Sequence, residues 1–366
     1  MDTTDFDRNF SSNFTSWKTN GVAIEHNYGI EMTLPYLKIY ISPCVAVAGI
    51  IGNVLSCLVL LGSKLRTFSS SHYLVSLYMA NSFYLVDYLL KWLIIHDYDI
   101  QGQPEFCQVM NLLENVSVFL SNWFMVTYCV DRYICNAWPM DAARMCSFIR
   151  ARVVIVCVII VALILHFNMS ITMAVTEYGQ LRKSRCMVQR HSLVNPRLKT
   201  AVELIFNIVV PYLCLLLIVA LLVYHTCTQR RDVYSDDSNC APLQRTTKVL
   251  LSTYVIMHVP YEFYRIVFIT KGVTQAHPAR PSHLEFIVQA FLNHWFRFGM
   301  AIHLIILLGT YPLFRTYCKQ FAIAKFRKVL GMCRCIEHKK NNGRSIEIEM
   351  TCTEVTGQTG KDAIAV

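Results

Sequence analysis

The sequence predicts an all-α membrane protein: a seven-transmembrane helix bundle with a short amphipathic eighth helix. Hydrophobic residues make up 54 % of the 366-residue chain and charged residues only 16 %, a balance foreign to ordinary soluble domains. Seven apolar stretches each have roughly the ~20 residues a helix needs to cross a bilayer. Within one of them, Arg132 follows Cys107 by 25 residues. A helix rising ~1.5 Å per residue sets the two roughly 37 Å apart, slightly more than the ~30 Å hydrocarbon core. One helix therefore holds a thiol at one membrane surface and an arginine at the other.

In chain order, the spans are read at about Tyr36–Gly62, His72–His96, Phe106–Ala137, Arg152–Val175, Thr200–Cys227, Thr246–Thr270 and Leu284–Thr310. Helices are the only plausible spans here, because lipid offers no partner to a free backbone N–H or C=O. The third and fifth continue past the bilayer. Loops after odd-numbered spans carry Lys64 and Arg66, then Arg144, Arg150 and Arg152, then Arg230, Arg231 and Arg245. Arg315, Lys319, Lys325, Arg327 and Lys328 follow the last span. Positive loops face the cytoplasm, so the N-terminus is expected outside. The sequons Asn9-Phe10-Ser11 and Asn13-Phe14-Thr15 agree, because glycans are added on the luminal side. Asn115-Val116-Ser117 lies inside the third span and is expected to stay unmodified. Met1–Phe10 is acidic and has no apolar core, so the first span is expected to act as the insertion signal. The expected organisation is an extracellular tail over 1–35, the bundle over 36–310, the amphipathic helix over 311–330 and a cytoplasmic tail over 331–366.

One loop breaks the charge pattern. After span four come Arg182, Lys183, Arg185, Arg190, Arg197 and Lys199, in a stretch that parity places outside. It is either a basic vestibule for an acidic ligand or a long loop exempt from the charge bias; the second is favoured. The net charge of +10 mostly reflects cytoplasmic residues beside anionic lipid and does not argue for nucleic acid. Most of the 15 cysteines lie in spans or on the cytoplasmic side, where thiols stay reduced. Cys333 and Cys335 follow the basic amphipathic stretch Phe314–Leu330, a context that suits either S-palmitoylation or a pair of free thiols.

Over roughly residues 36–330 the chain resembles rhodopsin-like (class A) G protein-coupled receptors. The resemblance rests on Gly52-Asn53 in span one, Asp131-Arg132-Tyr133 at the inner end of span three, Pro139 in the following loop, Pro211 in span five and Pro260 in span six. It implies that Arg132, flanked by Asp131 and Tyr133, meets the G protein. Cys107 and Cys186 are the only cysteines in the predicted outer loops, and a disulfide between them is expected. The texture is similar to invertebrate receptors for FMRFamide-like neuropeptides, in the runs Ser70–Leu77, Phe119–Phe124 and Ala301-Ile302-His303 before Phe314-Arg315.

The departures are informative too. Asn81 stands where the family keeps a sodium-binding aspartate, so a sodium site is not expected. His258 replaces the toggle tryptophan of span six, and Tyr254 sits one turn below it. His303-Leu304-Ile305-Ile306-Leu307 replaces the Asn-Pro-x-x-Tyr end of span seven, and span four lacks its tryptophan.

Intramembrane charges are binding-site candidates by default. Glu114 lies seven residues after Cys107, roughly 10 Å deeper along the helix. Asp87, Lys91, Glu203, Glu262 and Arg265 fall in the outer halves of spans two, five and six, and His258 joins them as a candidate ligand contact. The alternative for these charges is mutual pairing, Lys91 with Glu114 and Glu262 with Arg265. The expected function is a peptide-activated plasma-membrane receptor that signals through heterotrimeric G proteins, with arrestin and a receptor kinase as further partners. The alternatives are an amine receptor using Glu114, a weakly coupling or constitutive receptor, and a transporter. Retinal chemistry is excluded by the absence of lysine from Leu284–Thr310. No catalytic, cofactor or metal constellation is evident.

Overall fold

The computed structural model describes residues 37–97, 104–171, 173–178, 183–188, 201–202, 204–229, 240–274 and 283–323. Contacts divide the chain into two units, Met1–Cys318 and Lys319–Val366. All spans lie in the first. Of the second, residues 319–323 are described, and they are helical.

Span one is the helix Ser42–Gly62, entered through a π-helical turn at Leu37–Ile41. A 3-10 turn, Lys64–Thr67, hands the chain to span two, Ser69–Asp97. Span three, Pro104–Ala137, runs 34 residues and is followed by the short loop helix Pro139–Met145. Span four is Phe148–Ile171. Span five opens with a π-helical turn at Ile205–Val209 and continues as Val210–Gln229. Span six is the 35-residue helix Cys240–Thr274. Span seven is broken into His283–Ala301 and His303–Thr310, and residues 312–323 form a further helix.

Ile39–Gly62, Phe148–Phe167 and Ile205–Tyr224 are long and apolar enough to cross a membrane alone, and the two halves of span seven qualify together. Spans two, three and six carry intramembrane charges, Asp87 and Lys91, Glu114, and Glu262 and Arg265. Only 11 % of the most apolar stretch of span four is buried. Its branched side chains face lipid rather than protein, which lipid tolerates as well as a core does.

The prolines shape two spans by freeing carbonyls. Pro211 cannot donate to the carbonyl four residues earlier, that of Asn207. Asn122 of span three donates its Nδ2–H to that oxygen at 2.7 Å. Pro260 similarly frees the carbonyl of Ile256, and Trp295 of span seven donates its indole N–H to it at 3.1 Å. Lipid would leave such carbonyls unsatisfied, so neighbouring spans supply the donors.

A buried core of Ala46, Tyr84, Leu85, Val118, Phe296 and Met300 joins spans one, two, three and seven. Two glycines permit the close approaches around it. A Cβ on Gly49 would stand 2.6 Å from the Cβ of Ala301, and one on Gly299 would stand 2.7 Å from the Cβ of Met257.

Two expectations need correction. Span four does not reach Val175. It stops at Ile171, and Met173–Tyr178 (β1) pairs antiparallel with Lys183–Val188 (β2), so the helical fold carries one small hairpin. Val175 and Thr176 are β-branched and better suited to a strand than a helix end. Span seven is not one straight helix but bends by 47° between Ala301 and His303. No proline causes this. Asn53 Nδ2 (3.1 Å) and His303 Nδ1 (3.2 Å) both reach the Met300 carbonyl, the acceptor an unbroken helix offers to the N–H of Leu304.

Candidate functional site

At the Cys107 end, a cavity of about 250 Å³ opens between spans two, three, six and seven. Span three lines it with Asn111, Glu114, Asn115 and Val118, which recur at three- and four-residue steps on one face. Tyr84, Tyr261, Arg265 and Phe296 complete the wall. Asn115 Nδ2 donates to the Asn111 carbonyl at 2.9 Å and to its Oδ1 at 3.1 Å, so the sequon asparagine is a helical wall residue.

The expected mutual pairing of charges is present. Lys91 Nζ lies 2.7 Å from Asp87 Oδ2 and 2.5 Å from Glu114 Oε2. The Asp87 side chain is 2 % exposed and that of Glu114 42 %. One ammonium is therefore shared by a buried carboxylate and one that faces the cavity. Arg265 Nη1 stands 3.8 Å from Glu262 Oε2, with Glu262 buried behind it. Arg297, absent from the sequence-based candidates, places its guanidinium 4.0 Å over the Tyr88 ring. Its signal was in the chain, an arginine within an apolar span. Asp87, Glu114 and Glu262 thus stand with Lys91, Arg265 and Arg297 in this half of the bundle.

The predicted contacts separate into groups. Glu114 and Arg265 line the cavity, and Lys91 reaches it through Glu114. His258 does not line it. It is fully buried beneath the floor, stacked on Tyr254 at 3.9 Å and edge-on to Phe296 at 4.8 Å. Glu203 lies outside the described residues, as do Asn9, Asn13, Cys333 and Cys335.

Below the floor runs a polar connection that sequence reasoning did not find. His258 Nδ1 donates to the Tyr254 carbonyl at 2.9 Å. Tyr254 Oη donates to Asn122 Oδ1 at 2.5 Å, while the amide nitrogen of Asn122 holds the Asn207 carbonyl. One asparagine of span three therefore ties the π-helical turn of span five to the aromatic of span six. Beside it, Ser121 Oγ donates to Asn81 Oδ1 at 2.8 Å, and Asn81 Nδ2 lies 3.4 Å from His303 Nδ1. That nitrogen also faces the Met300 carbonyl, where it can only donate. Toward Asn81 it would have to accept, so one neutral tautomer satisfies one contact at a time.

At the other end of span three, Arg132 donates through Nε (3.1 Å) and Nη2 (2.5 Å) to Asp131 Oδ2. Ser69 Oγ donates to Asp131 Oδ1 at 2.6 Å. The Asp131 and Arg132 side chains are 5 % and 11 % exposed, a setting in which an unpaired charge is costly. Tyr133 packs edge-on against Trp138 at 5.6 Å. Tyr128 and Thr247 share a 3.0 Å hydroxyl contact, and Thr246 donates to the Thr310 carbonyl at 3.0 Å. Spans three, six and seven are thereby joined at this end. Burial, and then the Asp131 charge, push the Cys146 thiol up from its ordinary range, so it remains an S–H donor to the Asp131 carbonyl.

Cys107 is buried and disulfide-bonded. Span three packs on β1, and β2 carries Cys186 opposite Val175; the Cys186 side chain lies outside the described residues. The chain matches the family described as 7 transmembrane receptor (rhodopsin family) over residues 52–306, more than half its length. No curated protein matches it.

Proposed function

From the membership of this chain in the rhodopsin family of seven-transmembrane receptors, we propose that its ligand is a peptide and that it signals through heterotrimeric G proteins. Receptors of this family are multi-pass membrane proteins and not enzymes. The observation that carries the peptide reading is the cavity wall. Glu114 presents a carboxylate to the cavity while sharing Lys91 with Asp87, and Arg265 and Asn111 stand on the same wall. A wet, charged cavity suits a ligand with its own charges and amides. The amine reading is weaker, because His258 replaces the tryptophan of the family's aromatic floor.

On this reading the Cys107 end faces outside and the Arg132 end faces the cytoplasm. Residues 1–35 form the outer tail, with glycans on Asn9 and Asn13. Cys107 bonds Cys186 and holds the hairpin over the cavity. Residues 311–330 lie along the inner membrane surface, with lipid on Cys333 and Cys335. Arg132 leaves Asp131 on activation and docks the G protein, a two-state element of the kind switches use.

The test is expression with a promiscuous G protein and a screen of amidated peptides by calcium release. A dose-dependent response to a peptide supports the reading. A response confined to small amines overturns it. Arg132→Ala should then keep surface display and ligand binding while losing nucleotide exchange on the G protein. Wild-type exchange in that variant would remove Arg132 from the coupling role.

A further inference from the structure

Three groups converge beside Arg132 that the receptor reading does not use together. Asp131 and Cys135 stand four residues apart on span three, hence on one helix face. Cys146 is the residue that ends the loop helix Pro139–Met145, and its backbone N–H closes that helix on the Ala142 carbonyl at 2.8 Å. The turn brings Cys146 back against span three, with Sγ 3.6 Å from the Asp131 carbonyl oxygen. A carboxylate oxygen of Asp131 and the sulfurs of Cys135 and Cys146 all lie within 4.8 Å of one another.

We propose that Asp131, Cys135 and Cys146 form a binding site for a zinc-class divalent ion, and that the ion and Arg132 compete for the Asp131 carboxylate. Zinc bonds of ~2.3 Å to sulfur and ~2.0–2.2 Å to oxygen set tetrahedral ligand atoms roughly 3.5–3.8 Å apart. The observed separations of at most 4.8 Å stand within about 1 Å of that spacing. Two thiols with one carboxylate select a borderline-soft ion over calcium or magnesium, which take oxygen ligands. Each thiol releases its proton to solvent as its sulfur–metal bond forms, and a water completes the fourth position. Ser69 Oγ, donating to Asp131 Oδ1 at 2.6 Å, orients the carboxylate as outer partners of metal ligands do.

The competition follows from the contacts. Arg132 Nη2 lies 2.5 Å from Asp131 Oδ2 and 3.5 Å from Cys135 Sγ. The guanidinium therefore occupies two of the three ligands, and an ion that takes them leaves Arg132 without its partner. If the cytoplasmic placement proposed above holds, the thiols sit in a reducing compartment, where they stay available to metal.

The experiment needs neither agonist nor G protein, so its failure is distinguishable from failure of the receptor reading. The full chain, reduced and reconstituted in lipid nanodiscs, is titrated with Co²⁺ and then with Zn²⁺. A thiolate-to-cobalt absorption band that saturates at one ion per chain and is erased by Zn²⁺ is expected. Cys135→Ser and Cys146→Ser should each weaken Co²⁺ binding by at least roughly tenfold, the scale on which even outer-shell partners act. Cys318→Ser should leave it unchanged. Arg132→Met should tighten binding, because it removes the competitor. In the unmodified chain, Zn²⁺ should protect Cys135 and Cys146 from maleimide, which keeps the question decidable if a variant fails to fold. No band, a band that survives both cysteine variants, or no protection overturns the site. Unchanged or weaker binding in Arg132→Met overturns the competition.

Discussion

Glu114 is a structural partner of Lys91 that, on the proposed reading, also meets the ligand. Its bond to Lys91 is short and charge-assisted, yet 42 % of its surface is open. An incoming cation must displace Lys91, which retains Asp87 when it lets go. Glu114→Gln should therefore weaken an arginine-containing agonist by about 1.5–3 kcal/mol, the range of a lost charged hydrogen bond. A citrulline analogue at that position should bind the two receptors alike. Lys91→Met removes the internal competitor and should strengthen the same arginine-containing agonist. Competition binding with the two peptides decides this: equal losses for both in Glu114→Gln would make the residue purely structural.

At the scale of the element, the carbonyls that the prolines free have donors that can be tested in pairs. Trp295 donates to the carbonyl that Pro260 cannot serve. Trp295→Phe should lower the thermal midpoint by an amount corresponding to roughly 0.6–1.7 kcal/mol, the range of interhelical hydrogen bonds in membranes. In a Pro260→Ala background the backbone N–H of residue 260 can satisfy Ile256, and the loss from Trp295→Phe should shrink. Additive midpoints in the double-mutant cycle would refute the pairing. Span seven reaches its bend by a different route, because Asn53 and His303 draw the Met300 carbonyl out of the helix. A helix without proline thus gains the break that its sequence does not advertise.

At the scale of the molecule, two properties follow from the bundle as a whole. The hairpin packs on span three near the buried, disulfide-bonded Cys107. Cys107→Ala should lower surface expression and agonist binding, since such bonds typically contribute ~2–4 kcal/mol. Normal trafficking and binding in that variant would count against a structural role. The centre of the bundle is held by hydrogen bonds of uncharged amides and a hydroxyl, Ser121 donating to Asn81 and Asn53 to the Met300 carbonyl. Without a carboxylate to hold the ion, exchanging potassium for sodium at constant ionic strength should leave the thermal midpoint unchanged. A stabilisation specific to sodium would contradict the neutral centre.

Hydropathy and charge placed seven spans, because a bilayer imposes length and composition on each helix independently of the rest. Asp131-Arg132-Tyr133, Pro211 and Pro260 were likewise legible, since their effects begin within their own helices. Val175 was read as helical because an apolar run does not say whether it ends in a strand. Arg297 and Asn122 went unnoticed for another reason: each acquires its role from Tyr88, Tyr254 or Asn207, partners that sequence distance conceals. His258, named as a candidate ligand contact, is buried by packing beneath Phe296. The sequence by itself determined which segments cross the membrane and in what order. Only the tertiary structure decided which carbonyl each side chain satisfies and which charges share a wall, because those choices depend on contacts between helices far apart along the chain.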